Sequence, residues 1–147
     1  MDLSTFEVKK LLYTWYKSID NHVSVSELIP MLYAGDLEMH YPEGIVKTQE
    51  GFISWYNNYV NQFFDGEHNV KMMDIEIKGE TAITKLLLNW QTLIWNPPEA
   101  RSKWIGCDIY ETFGLIRDKR SSNAVINLFI VDKVELMEGS ASFTVKL

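Results

Sequence analysis

Apolar residues in the first third of the chain recur at helical spacing. Ser4 and Glu7 form a capping box, and the apolar positions that follow are three or four residues apart as far as Ile19. This pattern predicts a long first helix. A second Ser-led capping box at residues 24–27 predicts a short helix, which Pro30 should end or kink.

The pattern then changes to strict alternation and back again. Residues 36–42 alternate apolar and polar side chains, which predicts a strand that ends at Pro42. Residues 48–64 return to helical spacing with a broad apolar face, so they predict a third helix, ended by Asp65 and Gly66.

From Val70 onward the chain shows no helical period. Polar or proline-rich turns separate apolar runs, which predicts four strands joined as antiparallel hairpins, over about residues 69–78, 81–95, 101–117 and 123–137. Strands this long must twist and bend. The fold class expected is therefore α+β, with a curved, antiparallel-rich sheet wrapped around three helices and a conical hollow at its open end.

Length and composition limit the class of protein. A chain of 147 residues predicts a single domain over 1–147, and 46% hydrophobic residues exclude disorder. The net charge of −6 leaves no basic stripe for nucleic acid. The basic turn at Arg117 is expected to be a solvated hairpin tip. A lone cysteine, Cys107, and no signal-like or membrane-length apolar segment predict a cytoplasmic protein with no membrane partner.

The titratable residues show no metal or cofactor motif. The three histidines are far apart in sequence, no glycine-rich phosphate loop is present, and we expect neither a metal nor a cofactor. His22 and His68 are predicted to lie at the surface, in a loop and a turn. Glu38 and His40 share one strand face, as an acid–base pair or as a solvated edge.

Three local motifs, in this order and spacing, resemble the nuclear transport factor 2-like superfamily. They are LEMHYPEG at residues 37–44, FDGEHNV at 64–70 and CDIY at 107–110. Within the superfamily the chain resembles the SnoaL-like branch, of the ketosteroid isomerase and polyketide cyclase type. The resemblance implies a cone-shaped, cystatin-like fold, a pocket for a small-molecule ligand, and a homodimer formed through the outer face of the sheet.

Ketosteroid isomerases, which the chain resembles, suggest three catalytic positions. Their carboxylate base precedes the proline that ends the first strand, where this chain has Tyr41. Their oxyanion hole joins a tyrosine of the first helix, matched by Tyr16 (or by Trp15 in a shifted register), to an aspartic acid kept neutral by an apolar site, matched by Asp108. Apolar neighbours would raise the pKa of Asp108. The alternative is that Cys107 and Ile109 face the core and Asp108 points outward.

Large rings along the chain are candidate ligand-binding residues, or equally plain core. The predicted ligand-binding set is Trp15, Trp55, Tyr59, Trp90, Tyr110 and Asn127. Asn127 interrupts an apolar run, so it either bonds within the pocket or marks the outward face.

These observations leave two classes of function. The first is a SnoaL-like small-molecule-binding protein with an aromatic-lined conical pocket that works as a cofactor-free lyase, isomerase or cyclase on an apolar carbonyl or hydroxyl compound. The second is a non-catalytic ligand-binding or dimerisation domain of the same fold, which the missing carboxylate before Pro42 favours.

Overall fold

The computed structural model describes residues 1–144. Helix α1 spans Thr5–Asp20, and α2, Val25–Leu28, runs into a 3-10 turn at Ile29–Met31. Helix α3 spans Gln49–Gln62. None of the helices in the described residues has the length and apolar character needed to cross a membrane.

The described residues form one six-stranded sheet. Its strands are β1 (Glu38–Tyr41), β2 (Gly44–Val46), β3 (Phe63–Lys78), β4 (Thr81–Ile94), β5 (Lys103–Arg117) and β6 (Ala124–Leu136). They lie in the order β2-β1-β6-β5-β4-β3, and all neighbours are antiparallel except β1 and β6. The sheet curves without closing and holds the helices on its concave side, which confirms the predicted fold class.

Helices α1 and α3 begin at capped residues, whereas Ser24 precedes α2 without a capping hydrogen bond, so the predicted second capping box does not form. Ser4 accepts from the backbone N–H of Glu7 while the Glu7 side chain accepts from that of Ser4, which satisfies donors that a helix start leaves unpaired. Thr48 caps α3 in the same way through Gly51. Both helices turn a ring-rich face to the sheet, and burying each such side chain contributes about 1.5–3 kcal/mol.

Two features of the sheet differ from the prediction. Strand β3 begins at Phe63, directly after α3, because a bulge between Phe64 and Glu67 lets Asp65 and Gly66 stay within the strand. The prediction that the helix runs to residue 64 and is ended by Asp65 and Gly66 was therefore wrong, since the helix ends at Gln62. Strand β2 was not predicted, since it follows Pro42 within a tight hairpin that reads as a turn.

Arg117 is a buried clamp, not the solvated hairpin tip that the sequence suggested. Its side chain is only 10% exposed and donates to both carboxylate oxygens of Glu7, at 3.0 and 3.1 Å. It also donates to the carbonyls of Met1, Asp2 and Ser122. The hydrogen bond from Arg117 lowers the pKa of Glu7 to about 2. This clamp fixes the start of α1 to the end of β5.

Candidate functional site

A cavity of about 90 Å³ lies between α1, α3 and the concave face of the sheet. Six of the residues singled out from the sequence line it, namely Trp15, Tyr16, Tyr41, Trp55, Tyr59 and Trp90. Most of the remaining lining is aliphatic or aromatic. The cavity is therefore an apolar space with few polar groups, the usual composition of a small-molecule site.

Stacked rings hold one wall of the cavity rigid. Trp55 lies between Tyr41, at 4.4 Å between ring centroids, and Tyr59, at 5.3 Å. Their planes are inclined by 21° and 16°, and Trp90 continues the row beyond Tyr59. Each such contact adds about 0.5–1.5 kcal/mol beyond the burial of area. The wall is thus formed before any ligand arrives.

An Asp–His pair lies at the inner end of α1. Asp20 Oδ1 is 2.5 Å from His68 Nδ1, and Asp20 Oδ2 accepts from the backbone N–H of His68 at 2.8 Å. Because a carboxylate can only accept, this contact assigns the proton to Nδ1 and leaves Nε2 as the basic nitrogen. The His68 ring packs between Tyr16 and Trp90, at 4.7 and 5.5 Å.

The surface position predicted for His68 was wrong. Its side chain is only 9% exposed and lines the cavity, because β3 starts early and carries His68 over the concave face. The sequence predicted that the motif FDGEHNV contains the end of a helix followed by a turn. The available signal was Asp20 at the end of the first helix, but nothing in the spacing joins it to residue 68.

A second titratable pair lies on the cavity wall, formed by Tyr16 and Glu111. The Tyr16 hydroxyl donates to Glu111 Oε1, and Glu111 is only 5% exposed. Burial raises the pKa of Glu111 to about 8 and holds that of Tyr16 well above its ordinary value. Glu111 is therefore mainly protonated at neutral pH and can donate a hydrogen bond inside the cavity. Burial also raises the pKa of Tyr41, with the charge of Glu111 as the next cause.

Glu111 was not singled out from the sequence, although a signal for it exists. Ile109 and Phe113 belong to the apolar set of β5, and Glu111 lies midway between them in the same phase. An acid in the buried phase of a strand is unusual, so its position alone indicated a functional or strongly paired carboxyl.

Asp108 points outward from the sheet, which was the alternative to a place in the pocket. Cys107 and Ile109 are buried, and Asp108 accepts from Lys71 at 3.1 Å and from Asn89 at 3.0 Å on the outer face. These hydrogen bonds, Asn89 first, lower the pKa of Asp108, the opposite of the shift expected for a neutral acid. The nearby bulge places its extra residue, Asp132, in β6, so the alternation along β5 is not reset.

Tyr110 and Asn127 also lie outside the cavity. Tyr110 shares the outer phase of Asp108, is 38% exposed, and has the Lys133 ammonium 5.6 Å from its ring centroid. Asn127 is the extra residue of the bulge opposite Gly114 and Leu115, where it breaks the phase of β6. Their assignment to the ligand site was therefore wrong. Glu38 and His40 contact each other at 2.9 Å on β1 with both side chains partly exposed to solvent, which fits the solvated alternative.

A polar cleft of about 590 Å³ lies on the other side of His68. Tyr13, Lys17 and Asp65 contribute to its walls, and it shares Tyr16 and His68 with the cavity, whereas Asp20 lines only the cleft. His68 therefore separates the apolar cavity from the polar cleft. Across residues 1–144 no cluster of three His, Cys, Asp or Glu side chains is arranged to hold a metal ion.

Comparison with known proteins gives the fold its place. No protein-family model and no curated protein sequence matches the chain. Among solved structures, an NTF2-like superfamily protein from Salmonella enterica covers 95% of this chain and 92% of its own, with a TM-score of 0.71 and 12% identity. A hexachlorocyclohexane dehydrochlorinase from Novosphingobium barchaimii covers 95% of this chain and 93% of its own, with a TM-score of 0.72 and 13% identity.

A protein of unknown function with a cystatin-like fold from Nostoc punctiforme covers 95% of this chain and 98% of its own, with a TM-score of 0.70 and 14% identity. At such identities the shared property is the three-dimensional arrangement. This chain therefore has the fold of the nuclear transport factor 2-like proteins.

Proposed function

We propose that this chain is a cytoplasmic, single-domain SnoaL-like enzyme that binds a small uncharged compound and acts on it as a cofactor-free lyase, isomerase or cyclase. One observation carries the proposal: His68, held by Asp20, lines an apolar cavity that the buried acid Glu111 also lines. A positioned base and a neutral acid in one dry space are the components of proton-transfer catalysis. A dehydrochlorinase among the structural neighbours is in keeping with such chemistry on this fold.

The charges around the cavity favour an uncharged ligand. No lysine or arginine is among the described residues that line it, and its acidic side chains are Glu43 and Glu111. An anion in this space would lose its hydration without a counter-charge, which costs several kcal/mol. Apolar walls and few polar groups instead fit a compound with one carbonyl or hydroxyl group.

The proposed reaction begins with proton transfer to His68. Nε2 removes a proton from the carbon next to a carbonyl, and the C–H electron pair moves into a carbon–carbon double bond as charge develops on the oxygen. Asp20 stabilises the imidazolium that forms. Glu111, which accepts from the Tyr16 hydroxyl, donates its own proton in a hydrogen bond to that oxygen, with Tyr41 as a further phenol on the same wall.

The enolate then has two outcomes that conserve protons. In an isomerase His68 returns its proton to a different carbon. In a lyase the electron pair expels a group from the next carbon, and His68 gives its proton to that group or to water. Both routes need no oxidant and no metal-bound nucleophile from the protein.

We also propose that two copies pair through the outer face of the sheet. Met72, Ile83 and Tyr110 are exposed there, beside the Lys71–Asp108 ion pair. An apolar patch edged by charged pairs is typical of a protein interface. The expected partners are therefore a small-molecule ligand and a second copy of the chain.

Deuterium uptake by butanone in D₂O tests the proposed activity, because it needs only a bound carbonyl and a base. We expect wild-type protein to accelerate uptake over buffer and His68→Gln to abolish the acceleration. His40→Gln, which removes an exposed histidine paired with Glu38, is the matched control and should behave as wild type. Equal rates for His68→Gln and wild type would favour the non-catalytic binding domain instead.

A further inference from the structure

The tail that follows β6 carries a phenylalanine to the mouth of the cavity. Phe143 lines the cavity and contacts Trp90 at 5.2 Å and Phe63 at 5.9 Å, with its ring edge-on to both (78° and 90°). Its side chain is half-buried, so one side meets solvent and the other meets the interior. A ring in this position separates the ligand space from water.

The tail is tied to the sheet up to Ala141. Met137 donates to the Gly106 carbonyl at 2.8 Å, and Ala141 donates to that of Trp104 at 2.9 Å. Ser140 Oγ accepts from the Gly106 N–H at 3.1 Å. Gly139 makes the turn between these ties, with a φ of +86° that disfavours other residues.

Beyond Ala141 the tail is held by ring contacts, which are weaker than the hydrogen bonds that hold residues 137–141. Among the described residues, Ala141 forms the last backbone hydrogen bond of the tail, and Phe143 is held through edge-on ring contacts. One such contact is worth only about 0.5–1.5 kcal/mol beyond burial. The ring can therefore be removed by substitution without breaking the ties at residues 137–141.

The size of the cavity shows why this matters. A closed apolar cavity of roughly 150 Å³ is large enough for benzene, whereas the space here is about 90 Å³. We therefore expect the space left by Phe143 to suit a short aliphatic ketone better than a benzo-fused one. The stacked wall of Tyr41, Trp55 and Tyr59 is held on both faces of its central ring, so the ring of Phe143 is the part of the lining whose removal would enlarge the cavity with the least disturbance.

We propose that Phe143 is the residue that sets ligand size in this cavity, so the natural ligand is a short uncharged compound. This inference rests on the proposed ligand site but not on the proposed chemistry. Phe143 is a specificity-determining residue: it closes the mouth and excludes larger rings. It takes no part in proton transfer.

Binding of two ketones to His68→Gln protein, followed by NMR titration, tests the inference without any turnover. Butanone represents the short ligand and 1-indanone the fused-ring ligand. Phe143→Ala should bind 1-indanone at least about tenfold more tightly than the parent, since added pocket space is worth about 10–200-fold. Butanone affinity should change less than about threefold. Phe143→Leu, a smaller change in packing, should give an intermediate gain.

Phe6→Ala is the matched control, because Phe6 is an exposed phenylalanine on α1, far from the tail in sequence. It should bind both ketones as the parent does. Equal gains for both ketones in Phe143→Ala, or no gain for 1-indanone, would overturn the inference. So would the absence of binding of both ketones to every variant. If the wild-type protein did not accelerate deuterium exchange, the proposed chemistry would fail, but the binding result for Phe143 would still hold.

Discussion

Asp20 holds His68 at two points, through the ring nitrogen Nδ1 and through the backbone N–H. The two contacts use both oxygens of one carboxylate at the last residue of α1, and they cross from the helix to β3. They fix the position of the ring and its tautomer together. The basic nitrogen of His68 is thereby set before a ligand enters.

Asp20→Asn should break this arrangement without removing the base. An amide has one oxygen in place of two, so when that oxygen accepts from the backbone N–H its NH₂ group faces Nδ1 as a donor. We expect butanone exchange to fall by at least about tenfold and the ¹⁵N signals of His68 to show a mixture of tautomers. Asp65→Asn, in the same cleft and exposed, is the control. A single unchanged tautomer in Asp20→Asn would show that the carboxylate does not set it.

Glu111→Gln should make stability less dependent on pH. The pKa of Glu111 is about 8 in the folded chain and near 4.5 when unfolded, so the unfolded chain binds fewer protons between these values. The contribution of Glu111 to the stability of the wild-type protein therefore falls as pH rises through this window. The free energy of unfolding of Glu111→Gln should rise relative to that of wild type by roughly 3 kcal/mol from pH 4.5 to 7.

Urea denaturation at a series of pH values measures this difference. Glu76→Gln, which changes an exposed glutamate of β3, should run parallel to wild type throughout. Parallel curves for Glu111→Gln and wild type would mean that Glu111 is ionised in the folded protein, and its proposed role as a donor would fail.

Glu7→Gln should have the opposite pH dependence. Arg117 lowers the pKa of Glu7 to about 2, so its contribution is present above the unfolded value of 4.5 and is lost as pH falls towards 2. Since Glu7 is about one-third exposed, solvent screening reduces the effect, and we expect a loss of about 1–2 kcal/mol at neutral pH. Thermal melts should show the two proteins converging near pH 2. A constant difference at every pH would exclude the ion pair as its cause.

Tyr110→Glu should dissociate the proposed dimer. The change places a charge in the middle of the outer face, and burying it under a second copy would cost more in lost hydration than the nearby Lys133 ammonium returns. Analytical ultracentrifugation should show monomer for this variant and dimer for wild type. Tyr13→Glu, a change at an exposed tyrosine of α1, should remain dimeric. A monomeric wild-type chain would refute the pairing.

The sequence predicted the helices and long strands because each depends on local information. Capping at Ser4 and Thr48, and proline and glycine at the turns, are read within a few residues. Trp15, Trp55, Tyr59 and Trp90 were found for the same reason, since a ring on an apolar helix or strand face points inward, whereas Tyr16 and Tyr41 came from the resemblance to ketosteroid isomerases.

The polar half of the site depends on long-range register, which spacing does not encode. Asp20 and His68 meet only because β3 starts inside what reads as a turn, and bulges displace Asn127. Asp108 was chosen over Glu111 because its motif matched a family pattern. The burial phase of β5, a physical property, favoured the other carboxyl. When the alternation of buried positions along a strand and a match to a family motif point to different residues, the alternation should be preferred.

The most direct test of the account is a double-mutant cycle on butanone exchange with Asp20→Asn, His68→Gln and the combined variant. If Asp20 acts through His68, the combined variant should exchange no more slowly than His68→Gln alone, because groups that act as a unit are not additive. Exchange at the wild-type rate in Asp20→Asn, with His68→Gln reduced to the buffer rate, would contradict it. The two residues would then act independently.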